Sequence, residues 1–88
     1  MTIEVWIGRY FPEEQVAEVM AVLSRYGTET WHRERDRVWR DAVILSRGSM
    51  EKLRQTVSLA GTDYRDVLIG EQVDPWLIAE LRKHGAQL

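Results

Sequence analysis

The sequence predicts an α+β protein: a ferredoxin-like βαββαβ antiparallel sandwich with an extra C-terminal helix. Three observations predict this fold class. Four short segments show the alternation or the continuous apolar runs of β-strands, and two segments between them show helical periodicity. Asp74 followed by Pro75 predicts a last helix at about 74–85. With 88 residues, the chain is long enough for a single domain, 1–88.

The first strand and the first helix come from the N-terminal third. Residues 2–8 alternate, so that one face of the predicted strand carries Ile3, Val5 and Ile7 and the other carries Glu4 and Trp6. Pro12 suits the first position of a helix, and Gly27 suits its end. Between them, apolar residues recur at helical spacing: Val16, Val19, Met20 and Leu23.

The central stretch, residues 28–46, predicts a hairpin around which the rest of the sheet is built. Its first strand is the charged segment 28–34, its turn lies within 34–37, and its second strand is 38–46. The second strand contains the run AVIL, which is typical of a strand buried on both faces. No Asn-Gly or Asp-Gly pair fixes the register of this hairpin.

The C-terminal half repeats the helix-then-strand order. Ser49 predicts the start of a second helix, and Gly61 predicts its end. A fourth strand, 64–70, contains the apolar run VLI. In a ferredoxin-like sandwich the two helices cover one face of the sheet only, so the other apolar face needs a cover. We expect this cover to be the last helix or a second copy of the chain, and we predict a homodimer.

Composition excludes several classes of function. The chain has no cysteine, so it has no disulfide, thiolate metal site or cysteine nucleophile. We see no signal peptide and no apolar run of roughly 20 residues that would span a membrane. We therefore expect a cytoplasmic protein, and ten arginines against two lysines favour a bacterial or phage source.

Arginines and tryptophans in the predicted hairpin form the main candidate binding site. Its residues are Trp31, Arg33, Arg35, Arg37 and Trp39. Such residues anchor protein interfaces, and they also stack on and pair with single-stranded nucleic acid. The interleaved Glu34, Asp36 and Asp41 and the net charge of −2 oppose phosphate binding, so nucleic acid is an alternative that we do not favour.

His32 is the one catalytic candidate. With a carboxylate such as Glu4 or Asp41 to orient it, a neutral histidine can act as a general base, as in a cofactor-free enzyme of the dimeric α+β barrel type. A lone histidine on a charged segment is more often a solvated or paired residue, and the sequence leans away from an enzyme. We predict no metal, since the two histidines lie in distant segments, and no cofactor.

A second candidate surface is acidic and lies at the start of the first predicted helix. It consists of Glu13, Glu14 and Glu18. A protein with both acidic and basic patches and no catalytic constellation is typical of a protein-interaction module. The sequence thus predicts a small cytoplasmic homodimer of the adaptor, immunity or inhibitor type, and it does not specify the partner.

Overall fold

The fold is all-helical. The computed structural model describes residues 2–29 and 32–85, and no strand occurs among them. The helices are α1 (Ile3–Tyr10), α2 (Val16–Leu23), α3 (Arg35–Ser46), α4 (Met50–Leu68), α5 (Gly70–Val73) and α6 (Pro75–Lys83), and a short 3-10 helix, Glu13–Gln15, leads into α2. The predicted ferredoxin-like α+β sandwich is therefore wrong.

Helix α3 is the centre of the core, and α1, α4 and α6 pack around it. Its apolar run AVIL was the basis of the predicted central strand. In the structure, Ala42, Val43 and Ile44 are all buried, although they are consecutive and point in different directions around the helix. A helix enclosed by neighbours and a strand buried on both faces both require a continuous apolar run, so the run alone does not distinguish them.

Helix α1 replaces the predicted first strand because its residues fit two periods. The strand period buries Ile3, Val5 and Ile7, whereas the helical period buries Ile3, Trp6, Ile7 and Tyr10. The structure follows the helical period: Trp6 and Ile7 are adjacent and both buried, and the side chain of Val5 is 47% exposed. Two adjacent buried side chains cannot lie on one face of a strand.

Helix α4 continues past Gly61 and takes up most of the predicted fourth strand. A bend occurs at Asp63, whose backbone is extended (φ −152°, ψ 99°). The Asp63 carboxylate accepts a 3.0 Å hydrogen bond from the Arg65 backbone amide, so it caps the second part of the helix. Ile69, which the strand prediction placed in the sheet, is 54% exposed.

The predicted hairpin is wrong as well, because its second strand, 38–46, lies within α3 and no strand occurs in the described residues between α2 and α3, 24–29 and 32–34. We call these described residues the loop before α3, and residues 30 and 31 of the predicted first strand lie outside them. The Tyr26 hydroxyl donates a 2.6 Å hydrogen bond to the Arg33 carbonyl and accepts a 3.0 Å hydrogen bond from the Arg33 amide. This exchange ties the two ends of the loop together. Helix α3 then begins at Arg35, inside the predicted turn 34–37.

Three helices occur where the sequence predicts them. Val16–Leu23 carries the predicted apolar stripe, and Val19, Val22 and Leu23 are buried. Ser49 caps α4 by accepting a hydrogen bond from the Lys52 amide. Asp74 caps α6 by accepting from two backbone amides, those of Trp76 and Leu77.

The turn between α3 and α4 fixes α1 against α3. Gly48 has a positive φ of 85°, and a Cβ added there would lie 2.6 Å from the carbonyl oxygen of Tyr10. Only glycine permits this close approach. Among the described residues, no helix has both the length and the apolar composition needed to cross a membrane.

Candidate functional site

An open groove of about 490 Å³ lies between α1 and α3. Besides Thr2, its lining combines four apolar or aromatic side chains with five charged ones: Ile3, Trp6, Met20 and Trp39, and Glu4, Arg35, Asp36, Arg37 and Arg40. Helix α1 supplies one wall through its first two turns, and α3 supplies the other. We call this surface the α1–α3 groove.

Trp39 and Arg35 form one end of the groove wall. The Trp39 indole Nε1 donates a 3.1 Å hydrogen bond to the Tyr26 carbonyl, which fixes the ring. The guanidinium of Arg35 lies 5.0 Å from the ring centroid, within the range of a cation–π interaction. Arg35 is 57% exposed, and its ion pair with Asp36 is long, at 3.4 Å. Arg35 is therefore positioned by the ring and open to a ligand.

Arg37 and Arg40 line the same groove and bind a carboxylate behind it. Both guanidinium groups donate to the carboxylate of Glu71, which comes from α5 and is buried. Arg37 also donates to Glu34 at 3.1 Å, and Arg40 Nε donates to Asp41 Oδ1 at 3.1 Å. We call these five residues the Arg–carboxylate cluster.

Asp41 is the most unusual member of this cluster, since its side chain is fully buried. Its Oδ2 atom has no hydrogen-bond donor among the described residues. Burial, together with a hydrogen bond to Glu71, raises the pKa of Asp41 to about 8, although the charge of Arg40 acts in the opposite direction.

The pKa of Glu71 shifts in the opposite direction. Burial on its own would raise the pKa of Glu71, but the hydrogen bonds from Arg37 and Asp41 outweigh it and hold this pKa below the ordinary range. Asp41 does not line the groove, so it cannot exchange a proton with a ligand bound there. Its influence on a ligand must pass through the arginines.

His32, the predicted catalytic candidate, belongs to the loop before α3. Its Nδ1 atom accepts hydrogen bonds from the backbone amides of Gly27 (2.8 Å) and Glu29 (3.2 Å). Its ring stacks on Tyr26 with a centroid distance of 4.4 Å. Of its two proposed companions, Glu4 lines the groove and Asp41 contacts Arg40. This geometry gives His32 a role in holding the loop.

The structure brings together three of the five predicted binding residues. Arg35, Arg37 and Trp39 all line the groove. Arg33 is exposed in the loop, where its backbone contacts Tyr26. Trp31 lies outside the described residues. Arg35 and Trp39 share a face because they lie four residues apart on α3, not because they lie on a hairpin.

The predicted acidic surface is not part of the groove. Glu13 and Glu14 are exposed in the 3-10 helix before α2. Glu18 forms a 2.8 Å ion pair with Arg54 of α4. Exposed pairs of this kind contribute at most about 1 kcal/mol, so Glu18 helps to align α2 and α4 without defining a site.

Sequence reasoning missed Arg40 and Glu71 altogether and assigned Asp41 to a different role. Arg37, Arg40 and Asp41 have the spacing i, i+3, i+4, which places them on one face of a helix. That signal was hidden because the segment was interpreted as a strand. Nothing in the local sequence of Glu71 connects it with α3, since the contact spans more than 30 residues.

Comparisons with protein-family models, with curated proteins and with solved structures find no match to this chain. Within residues 2–29 and 32–85, no group of three or more His, Asp or Glu side chains is arranged to hold a metal ion. The fold and the site therefore define a class only: a small all-helical protein with an open groove in front of a partly buried Arg–carboxylate cluster.

Proposed function

We propose that the protein is a protein-interaction module that binds a short apolar and acidic segment of a partner protein in the α1–α3 groove. The observation that carries this proposal is the pair formed by Trp39 and Arg35 on the groove wall. Tryptophan and arginine are over-represented among the residues whose truncation weakens protein complexes most. Ile3 and Met20 lie in the same groove and offer an apolar surface to the partner.

The charges in the groove favour a segment that carries a carboxylate. Of the three arginines that line it, Arg37 and Arg40 are already paired with Glu71, whereas Arg35 is exposed and can bind a carboxylate of the partner. The ion pair between Arg35 and Asp36 is exposed and joins neighbouring residues, so it is worth no more than about 1 kcal/mol. A carboxylate of the partner can therefore replace Asp36 at Arg35 with little loss.

The same lining argues for a protein segment over a small molecule or nucleic acid. Half of the ten lining residues are charged, whereas small-molecule sites are mostly apolar with a few polar groups. Arg35 already covers one face of Trp39, on which a base would otherwise stack. The acidic residues Glu4 and Asp36 would also repel phosphates.

The type of protein that the sequence predicts, a small cytoplasmic adaptor, immunity protein or inhibitor, stays part of this proposal. An adaptor, immunity or inhibitor protein of the cytoplasm fits a chain that has no cysteine to oxidise. The homodimer stays a prediction, but its original reason is gone, because no sheet face exists among the described residues. The groove is the surface we assign to a partner protein.

A selection from a random peptide library, displayed on phage and panned against the immobilised protein, tests the proposal. We expect the selected peptides to share an apolar residue next to an acidic residue. Their binding, measured by fluorescence anisotropy, should weaken about tenfold or more, equivalent to about 1.4 kcal/mol, when Arg35→Glu reverses the charge in the groove. Arg54→Glu is the matched control, since Arg54 is also exposed but does not line the groove.

Two results would contradict the proposal. One is a selection that yields no peptide whose binding depends on Arg35. The other is a set of peptides that Arg35→Glu and Arg54→Glu weaken equally. Sedimentation at tens of micromolar tests whether the groove instead binds a second copy of the chain. If the protein is a dimer and Arg35→Glu dissociates it, the occupant of the groove is that second copy.

A further inference from the structure

The Arg–carboxylate cluster contains one more acid than its arginines can neutralise. Arg37 and Arg40 supply two positive charges, whereas Glu34, Asp41 and Glu71 supply three negative charges when all are ionised. Because Asp41 and Glu71 are buried, an uncompensated charge on them is costly. The cluster becomes neutral when one of the three carboxyl groups carries a proton.

The geometry identifies which group carries it. Glu34 is half exposed, and Glu71 accepts hydrogen bonds from two guanidinium groups, so both are stabilised as carboxylates. Asp41 is fully buried, and its Oδ2 atom has no donor among the described residues. Arg40 contacts Asp41 and Glu71 with one guanidinium group, so the two carboxyl groups are neighbours. When Asp41 is protonated, its O–H group can donate a hydrogen bond to the Glu71 carboxylate. Both carboxyl groups then have a hydrogen-bond partner.

We propose that Asp41 and Glu71 share one proton, that this proton holds Arg40 and α5 in place behind the α1–α3 groove, and that its loss in mild alkali reshapes the groove wall. The proposal rests on the proposed function only in taking the groove as the binding site. The shared proton and its effect on Arg40 are properties of the protein without a ligand.

Loss of the proton changes the balance of charges around Arg40. When the O–H bond of Asp41 breaks and the proton passes to solvent, two buried carboxylates face each other and the cluster carries a net charge of −1. Arg40 is the guanidinium group in contact with both. It is then drawn toward Asp41, which needs a new donor for Oδ2, and Glu71 retains Arg37 alone.

Helix α5 is the element that responds, because little else attaches it to α3. It is four residues long and buries only Gly70 and Glu71. Val73 at its end and Ile69 before it are both more than half exposed. Since Gly70 packs against Leu77 of α6, Glu71 is the side chain that links α5 to α3. Segments with few buried contacts open most easily.

Charged groups on the neighbouring elements do not compensate for this loss. Glu4 of α1 shares the groove with Arg37 and Arg40 and adds negative charge. Arg65 of α4 lies near Arg37 but is paired with Asp63. The two acids of α6 that form hydrogen bonds are engaged elsewhere: Asp74 caps its own helix, and Glu80 accepts from Tyr10. The response is therefore specific to the five residues of the cluster.

Nuclear magnetic resonance on the full chain between pH 5 and pH 10 tests the proposal. Side-chain carboxyl ¹³C resonances report each acid, and ¹⁵N–¹H spectra report the Arg40 Nε–H and the Trp39 indole N–H. We expect one aspartate to titrate near pH 8, and the Arg40 and Glu71 resonances to shift with the same midpoint. The protection of the amides of residues 70–73, measured relative to the intrinsic base-catalysed exchange rate at each pH, should fall over the same range.

Two variants make the result specific. Asp41→Asn keeps a donor toward Glu71 and cannot ionise, so it should retain the neutral-pH spectrum and lose the transition. Asp36→Asn is the control, since Asp36 lies on the same helix but is 90% exposed, and it should keep the transition. The proposal is overturned if no carboxyl group of the wild-type protein titrates above pH 6, or if Asp41→Asn folds and still shows the transition. The wild-type titration decides by itself if the variant does not fold.

Discussion

The hydroxyl of Tyr10 donates a 2.5 Å hydrogen bond to Oε2 of Glu80, and this bond joins the first helix of the chain to the last. The same carboxylate oxygen lies 3.6 Å from Nε2 of His84, and the His84 ring contacts Trp6 edge-on at 5.2 Å. Burial, together with the bond to Glu80, raises the pKa of Tyr10. These four side chains connect α1 with α6 and with His84, the residue that follows α6.

Replacing Tyr10 by phenylalanine should destabilise the protein by about 1–3 kcal/mol, because the nearly buried Glu80 carboxylate loses a charged hydrogen bond. The free energy of unfolding in urea measures this loss. Tyr64→Phe is the matched control, since Tyr64 is also partly buried but forms no hydrogen bond through its hydroxyl among the described residues. Equal losses in the two variants would show that the Tyr10–Glu80 bond has no specific role.

Glu71→Gln should cost about 3 kcal/mol of stability, since it leaves two guanidinium groups without the carboxylate that both of them contact. The expected readout is a lower urea midpoint with an unchanged dependence on denaturant. Asp36→Asn removes a carboxylate from an exposed ion pair and should change stability by less than about 0.5 kcal/mol. A Glu71→Gln variant as stable as Asp36→Asn would mean that the cluster does not hold α5.

The stability of the protein should fall as the pH rises from about 4 toward 8. The pKa of Asp41 is higher in the folded state than its ordinary value of about 3.9, so the folded protein keeps a proton that the unfolded chain releases. The stability that this proton contributes is complete below pH 4 and is lost as the pH rises through the folded-state pKa. One proton can change the free energy of unfolding by at most about 1.4 kcal/mol per pH unit.

Glu71 acts in the opposite sense and at lower pH. Its pKa is lower in the folded state, so it contributes stability above its ordinary range, and this contribution is lost in acid. Urea midpoints measured between pH 5 and 9 therefore lie above the titration of Glu71, and the difference between the wild-type protein and Asp41→Asn gives the contribution of Asp41. The wild-type midpoint should decline and then level off near pH 8, and Asp41→Asn should remove most of the decline. A wild-type midpoint that rises across this range would contradict the assignment of the proton to Asp41.

Three glycine-to-alanine substitutions should change the stability of the protein by amounts that follow a fixed order. Gly61→Ala should stabilise α4 by up to about 1 kcal/mol, since Gly61 is helical and a Cβ there meets nothing within 4 Å. Gly85→Ala should destabilise by about 1 kcal/mol through its positive φ of 74° alone. Gly48→Ala should cost more than Gly85→Ala, because a positive φ of 85° is combined with a clash at the Tyr10 carbonyl. Thermal unfolding of the three variants gives the order, and a milder effect at Gly48 than at Gly85 would argue against the close approach of α1.

The three helices predicted from sequence have either a clear start signal or an unambiguous apolar stripe. Ser49 and Asp74 both accept backbone hydrogen bonds as N-caps, and the apolar stripe of α2 has no competing period. The predicted strands failed where two periods coincide. Residues 2–8 satisfy both alternation and helical spacing, and the short apolar runs in 38–46 and 64–70 satisfy neither uniquely. Tertiary packing around α3, which is invisible locally, decides these cases.

The groove was only partly predictable for the same reason. Arg35, Arg37 and Trp39 were identified by residue type, and these types are informative whatever the backbone does. Glu71 and Arg40 could not be identified, because their importance arises from a contact between α3 and α5. The role of His32 as a catalytic candidate stays a prediction, and residue patterns do not reveal that its ring accepts hydrogen bonds from the backbone amides of Gly27 and Glu29.

The extended residue at Asp63 has a consequence for how the chain can be altered. The carboxylate of Asp63 starts the second part of α4 afresh, so the segment 64–68 does not depend on uninterrupted hydrogen bonding from 50–62. We therefore expect a few flexible residues inserted between Thr62 and Asp63 to be tolerated better than the same insertion in the middle of α3. That junction is a natural place to attach a fluorescent label or to split the polypeptide into two fragments that reassemble.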